Sequence, residues 1–335
     1  MNREHRAQLA KVRKFLRSKD FGDVQQGVAL LDALDDPALW SLFAEGASVD
    51  AEGKIVVASG REIHKRVRAA HRTYVALWAL NRAGRLRSIS HLDLREHASL
   101  VSVDGLRGLT GLERLQLYGC SLLQSLDGLE GLAGLTHLDL TGCLSVARVD
   151  ALQALTGLTN LDLSACSGLQ SLDGLQGLIG LTDLGLGGET FTKLQARGGL
   201  GALETLTGLR CLSLHYCHTL EGLEGLQVCA GVTDLDLSYC RAIEGLDPLQ
   251  GLTGLTRLSL FWASGLRDVS GLQSLASLET LDLRKCGALE DVSGLRGLTG
   301  LTRLDLRECG RVQGVEARLY TGAEEIQRAL ARVGG

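Results

Sequence analysis

The chain of 335 residues lacks several features that would point to a particular chemistry. No apolar run approaches the ~20 residues that cross a bilayer, so no membrane span is expected. The opening stretch, M-N-R-E-H-R-A-Q-L-A-K-V-R-K-F, is charged and has neither an apolar h-region nor a cleavage site. A cytoplasmic location is therefore the expectation. No G-x-x-x-x-G-K-[ST], H-E-x-x-H or strand–helix G-x-S-x-G occurs, which removes the common phosphate-binding, zinc-protease and serine-hydrolase signatures. Aromatic residues make up only 4% of the chain, so each one is informative. Lysine is scarce beside arginine, 7 against 28, and isoleucine is scarce beside leucine; that usage suggests a GC-rich bacterial source.

The balance of 45% hydrophobic and 22% charged residues, with a net charge of −4, is that of a soluble globular protein. The charge is unevenly spread. Residues 1–88 hold 16 Lys+Arg against 10 Asp+Glu, a net of +6, and the remainder holds 19 against 29, a net of −10. The two parts are built differently.

From residue 89 the sequence repeats. An L-x-x-L-x-L frame starts at Ile89, Leu112, Leu135, Leu158, Leu181, Leu209, Val232, Leu255, Leu278 and Leu301. Eight of the nine spacings are 23 residues, and the interval from Leu181 to Leu209 is 28. Apolar residues recur at repeat positions 1, 4, 6, 9, 12, 15, 18 and 21. Positions 4 and 6 alternate with 3, 5 and 7, as in a short strand with opposite faces. From position 12 the period becomes three, which suits a 3₁₀ turn or an extended polyproline-like run rather than an α-helix. Burying the eight apolar side chains of a turn is worth ~1.5–3 kcal/mol each against exposure. One turn cannot bury them alone, so the turns must stack.

The pattern L-T-x-L-D-L-S-x-C-x-x-L resembles the leucine-rich repeat family, and S-L-D-G-L-x-G-L-T-G is similar to its short, internalin-like class. The resemblance covers residues 89–315. It implies an α/β solenoid: a right-handed horseshoe with a parallel sheet on its concave side and 3₁₀ or extended segments on the convex side. It also implies protein binding on the concave face. Seven of the nine cysteines, Cys120, Cys143, Cys166, Cys217, Cys240, Cys286 and Cys309, occupy position 9, which in this family is an inward ladder serving the backbone turn. Cys229 falls in a core slot and Cys211 faces out, so neither a disulfide framework nor a metal site is expected, and no cofactor is called for.

A solenoid needs caps over its terminal cores. Residues 1–85 are expected to form a mostly helical N-terminal capping domain, with helices over 3–19 and 24–34. A third should start after Asp36-Pro37, a hairpin should span 49–57 around Glu52-Gly53, and a long amphipathic helix should cover 61–83. Residues 86–315 form the solenoid, and 316–335 a tail with a helix from Gly322 to Val333. The basic run Arg61, Lys65, Arg66, Arg68 and Arg72 invites a nucleic-acid reading. No aromatic interleaving supports base stacking there, and the plain alternative is the solvated face of a helix.

Position 5 carries Asp93, Gln116, Asp139, Asp162, Gly185, Ser213, Asp236, Ser259, Asp282 and Asp305. Six carboxylates on one face repel each other, and arginines at position 3 (Arg114, Arg257, Arg303) or 7 (Arg284, Arg307) are expected to offset them. A flat carboxylate stripe does not enclose calcium, which takes six or more oxygens.

Six aromatics lie within 89–315: Tyr118, Phe191, Tyr216, Tyr239, Phe261 and Trp262. Five are at position 7 or 8, the outward end of the strand, and none is expected in a core slot. Tyr216, Tyr239 and Phe261-Trp262 fall on successive turns and should form one exposed patch, the usual mark of an interaction site. The candidate partner-binding residues are therefore Tyr118, His215, Tyr216, Tyr239, Arg257, Phe261, Trp262, Arg284 and Lys285. The five extra residues of the fifth turn, within G-G-E-T-F-T-K-L-Q-A-R-G-G (187–199), are expected to bulge as a loop beside the patch. The expected function is a non-enzymatic module binding a protein through the concave and ascending face of turns 6–9. The alternatives are a substrate receptor of a modification or degradation system, or a nucleic-acid binder acting through residues 1–88. F-box proteins with cysteine-type repeats show a similar L-D-L-S-x-C pattern, but their repeats are longer and no adaptor motif is visible here.

Overall fold

The structure, a computed structural model, describes residues 3–34, 36–45, 47–57, 67–196, 198 and 200–333. They divide into two compact units, 1–158 and 159–335, with the division falling between the third and fourth turns.

The first unit opens with α1 (Arg3–Leu16), α2 (Phe21–Ala33) and α3 (Pro37–Ala44). Helix α2 starts three residues earlier than expected because Asp20 caps it: its carboxylate accepts from the Asp23 N–H at 3.2 Å. The expected hairpin follows as β1 (Ala47–Val49) and β2 (Ile55–Val57), turning at Gly53 with φ +82°. A Cβ on Gly53 would lie 2.5 Å from the His91 carbonyl oxygen, so both its conformation and its neighbour require glycine. Of the long helix expected over 61–83, α4 runs from Arg72 to Arg82, and residues 67–71 form a bend and a 3₁₀ turn. Residues 58–66, with Arg61, Lys65 and Arg66 of the basic run, lie outside the described residues.

Three parallel strands complete this unit: β3 (His91–Asp93), β4 (Arg114–Gln116) and β5 (His137–Asp139). The helical part covers their exposed end. The Asp93 N–H donates to the Gly53 carbonyl at 2.9 Å, and the Asn81 amide donates to the Gly105 and Arg107 carbonyls, both at 2.9 Å. Edge groups that would otherwise be orphaned are thereby satisfied.

The second unit contains seven parallel strands: β6 (Asn160–Asp162), β7 (Asp183–Gly185), β8 (Cys211–Ser213), β9 (Asp234–Asp236), β10 (Arg257–Ser259), β11 (Thr280–Asp282) and β12 (Arg303–Asp305). Every pairing sets position 3 against position 3 and position 5 against position 5, including the pair across the longer turn, Asp183 to Cys211. A strand that the repeat pattern does not announce, β13 (Leu319–Thr321), closes the sheet antiparallel to β12 and buries Tyr320. Helix α6 (Ala323–Leu330) then lays Ile326 and Leu330 against the last turn.

The core follows the sequence pattern closely. In the turn from Leu158 the residues at positions 1, 4, 6, 9, 12, 15, 18 and 21 are all at most 2% exposed. The three-residue period resolves into 3₁₀ turns such as Asp127–Leu129 and Ser293–Leu295. Side chains two residues ahead start them: Ser125 Oγ accepts from the Asp127 N–H at 3.2 Å, and Asp291 Oδ1 from the Ser293 N–H at 2.7 Å. Their central glycine is a packing requirement, since a Cβ on Gly128 would overlap the Val103 carbonyl of the preceding turn.

The cysteine ladder has a hydrogen-bonding role. Five of its thiols donate to the position-6 carbonyl of the preceding turn: Cys120 to Leu94 at 3.2 Å, Cys143 to Leu117 at 3.3 Å, Cys240 to Leu214 at 3.2 Å, Cys286 to Leu260 at 3.2 Å and Cys309 to Leu283 at 2.9 Å. These carbonyls are buried, so an unmet one would cost ~1–3 kcal/mol.

Two expectations about the fifth turn are corrected. Its extra residues do not bulge as a loop; they form α5 (Thr190–Ala196). Phe191, expected to lie outside the core, is fully buried, together with Leu194. The pair is spaced i, i+3, so both side chains share the inward face of the helix. The helix also keeps the ladder intact. Glu189 stands in the cysteine slot, and the next residue, Thr190, donates its hydroxyl to the Leu163 carbonyl at 3.1 Å.

An aromatic row on the outward end of the strands

Just beyond each strand the chain passes through a left-handed residue at position 8. In the first unit these are Glu96, Gly119 and Gly142; in the second they are Ala165, Gly188, Tyr216, Tyr239, Trp262, Lys285 and Glu308, with φ between 56° and 74° throughout. Two sets of hydrogen bonds hold this conformation. The carboxylate at position 5 caps the N–H at position 7, as Asp236 does for Ser238 at 2.9 Å and Asp282 for Arg284 at 3.0 Å. The N–H at position 8 donates to position 7 of the next turn, as Tyr216 does to Ser238 at 2.9 Å and Tyr239 to Phe261 at 2.7 Å. A left-handed conformation costs a non-glycine residue ~1–2 kcal/mol. Glycine fills the position in three turns, yet three successive turns place large aromatics there.

Parallel in-register strands lie ~4.8 Å apart, so equivalent side chains on successive turns meet face to face. Tyr216 stacks on Tyr239 with ring centroids 4.3 Å apart and planes inclined by 8°. Tyr239 lies 5.6 Å from Trp262 and meets Phe261 edge-on at 5.1 Å. His215 and His218 approach Tyr216 edge-on at 5.4 and 5.7 Å. The neighbouring Tyr239 phenol holds the Tyr216 phenol above its usual pKa.

Cations cover the far end of the row. Lys285 Nζ lies 4.6 Å from the Trp262 ring centre, and the guanidinium carbons of Arg241 and Arg284 lie 5.1 Å from Trp262 and 4.9 Å from Phe261. Such contacts contribute ~0.5–1 kcal/mol at exposed sites. The anticipated pairing of arginines with the position-5 carboxylates occurs at position 7, where Arg284 reaches Asp282 at 2.5 Å and Arg307 reaches Asp305 at 2.7 Å. Arg257 instead pairs with the position-3 carboxylate Asp234 at 2.7 Å.

The structure thus brings together His215, Tyr216, Tyr239, Phe261, Trp262, Arg284 and Lys285. Arg257, at position 3, lies on the same face at the other end of its strand. Tyr118 lies on the first unit, 47% exposed. Arg241, at position 10, was not singled out from the sequence. The signal was there, since the residue after an inward position 9 turns outward again beside the row.

The Cys–His run at 211–218 does not converge on a reactive centre. Cys217 points inward and donates to the Gly188 carbonyl at 2.6 Å, while the His215 ring faces out and bonds Ser213 Oγ through Nδ1 at 2.8 Å. Burial, and then the Asp183 carboxylate, push the Cys211 thiol up to about 11, away from a thiolate. Among the described residues no group of three or more His, Cys, Asp or Glu is placed to hold a metal ion. Nor, among them, is any helix long and apolar enough to cross a membrane.

A 23-residue turn of strand, inward cysteine and 3₁₀ segment, stacked in register, defines a leucine-rich repeat solenoid of the short, cysteine-ladder type. No family model matches the chain, and no curated protein matches it in sequence. Solved structures with a similar fold include an internalin (InlF) from Listeria monocytogenes, 17% identical with a TM-score of 0.45, covering 80% of this chain and 88% of that one. Internalin C2 from the same species is 20% identical with a TM-score of 0.40, covering 80% and 91%. The functional domain of InlJ from Listeria monocytogenes, described as including a cysteine ladder, is 20% identical with a TM-score of 0.40, covering 68% and 50%. The repeat geometry of the chain, rather than these likenesses, assigns the fold.

Proposed function

We propose that this chain is a non-catalytic binding module whose protein partner docks on the aromatic end of turns 6–9. One observation carries this reading: Tyr216, Tyr239 and Trp262 occupy left-handed positions that glycine fills at lower backbone cost in turns 2, 3 and 5. Backbone strain of this kind persists where surrounding structure holds it, and it clusters at binding sites. The rings fill no core, because the leucines already do. Tyr and Trp are the residue types that most often dominate binding energy at interfaces.

The test replaces all three with glycine, the residue their backbone favours. Proteins retained by the unaltered chain, identified by mass spectrometry, should be lost from the Tyr216→Gly/Tyr239→Gly/Trp262→Gly variant while its melting temperature holds. Retention of the same proteins by the folded variant would move the site elsewhere.

A further inference from the structure

Charge distinguishes this end of the strands from the rest of the solenoid. Positions 7–10 of turns 6–9, residues 215–218, 238–241, 261–264 and 284–287, contain His215, His218, Arg241, Arg284 and Lys285 but no Asp or Glu. The same positions in turns 1, 5 and 10 hold Glu96, Glu189 and Glu308. The cationic spot sits in a sequence region, 89–335, whose net charge is −10. Some of its charge is answered internally, since Arg284 also lies 3.7 Å from Asp305 and Lys285 lies 3.9 Å from Glu308. Arg241 is exposed and leans on Trp262.

The rings add a second constraint. Tyr216 and Tyr239 stack on each other, Trp262 has Lys285 and Arg241 against it, and Phe261 has Arg284. An incoming group therefore meets ring edges, whose hydrogens are the positive end of the aromatic quadrupole, and phenol hydroxyls able to donate. Edges, hydroxyls and cations all favour carboxylates. A nucleic-acid base needs an open ring face to stack on, and here the faces are engaged within the row.

Building on the proposed function, we infer that the partner presents an acidic segment, with Asp or Glu carboxylates set against Arg241, Arg284 and Lys285 and its remaining surface against the ring edges. Charge reversal at Lys285 suits the backbone, because Glu96 and Glu308 adopt the same left-handed conformation at the equivalent position.

The probe is a displayed library of random twelve-residue peptides, selected on the full chain at low salt, with a dodecamer of deoxythymidine as the nucleic-acid control. Peptides whose binding is lost in the triple-glycine variant report on the row. These should be net acidic, should bind on the order of tenfold more weakly to R241E/K285E, and should weaken as salt is raised. Row-dependent peptides that are neutral or basic, or that bind R241E/K285E unchanged, overturn the inference and leave the docking site standing. Row-dependent binding of the oligonucleotide also overturns it, in favour of a nucleic acid. If no peptide depends on the row, the docking site itself falls. R241Q/K285Q and melting curves separate loss of charge from loss of fold.

Discussion

Tyr216 and Tyr239 are 23 residues apart in sequence and 4.3 Å apart in space, with their rings within 8° of parallel. The stack is a direct product of register: equal turns, parallel strands and the same left-handed residue after each strand. It sets two energies against each other, the ring contact and the backbone conformation.

That opposition gives an unusual prediction. A buried or stacked aromatic pair is worth ~0.5–1.5 kcal/mol beyond its area, and left-handed backbone costs a non-glycine residue ~1–2 kcal/mol. Tyr216→Ala loses the ring and keeps the strain, whereas Tyr216→Gly loses both. The glycine variant should therefore be the more stable of the two by about 1 kcal/mol in urea unfolding, the reverse of the usual order within a strand. Equal or inverted stabilities would show that the positive φ is not maintained in solution.

Phe191 anchors the only turn that departs from 23 residues. Its side chain is fully buried beneath α5, so Phe191→Ala should cost ~3–5 kcal/mol. A loss below about 1 kcal/mol in the same unfolding measurement would restore the picture of a loose insertion.

The nine cysteines should be chemically quiet. Burial pushes Cys120 up to about 12 and Cys229 up to about 11, and Cys211, the most accessible, is also raised to about 11. At pH 8 the native protein should show at most one thiol reacting with Ellman's reagent within minutes, and all nine once unfolded. Rapid modification of several would mean that the ladder is open to solvent.

Acid should weaken the fold through the strand-end carboxylates. Hydrogen bonds from Arg95 hold Asp93 below the usual carboxylate range. Burial pushes Asp305 up, but the side-chain and backbone bonds from Arg307 and the charge of Arg284 outweigh it. A carboxyl group whose pKa is lower folded than unfolded stabilises above its unfolded value, ~3.9, and that contribution disappears as pH falls through the folded value. Melting temperature should drop below about pH 4, and the drop should be shallower in D93N/D305N. An unchanged acid limb would remove these two residues from the account.

Much of the solenoid was legible because its periodicity is redundant. Ten turns report the same inward positions, and one turn, Leu158 to Leu178, shows every one of them buried. The fifth turn was misread because it occurs once, so no repetition separated a helix with an inward Phe191 from an exposed loop. Strand β13 was missed for the same reason: L-Y-T carries no repeat signal, and its pairing depends on β12 being at hand. Arg257 and Arg284 both had arginine's reach, but choosing between Asp234 and Asp282 required knowing the path of each side chain.

By itself the sequence determined which residues face inward, because a turn with eight apolar positions can hide them only against its neighbours. It also determined that Tyr216, Tyr239 and Trp262 lie on successive turns, since the spacing is constant. Only the tertiary structure decided that position 8 is left-handed, that the rings consume one another's faces, and that Lys285, Arg241 and Arg284 close over them. Those facts depend on torsions and on contacts between turns, which a one-dimensional pattern does not carry.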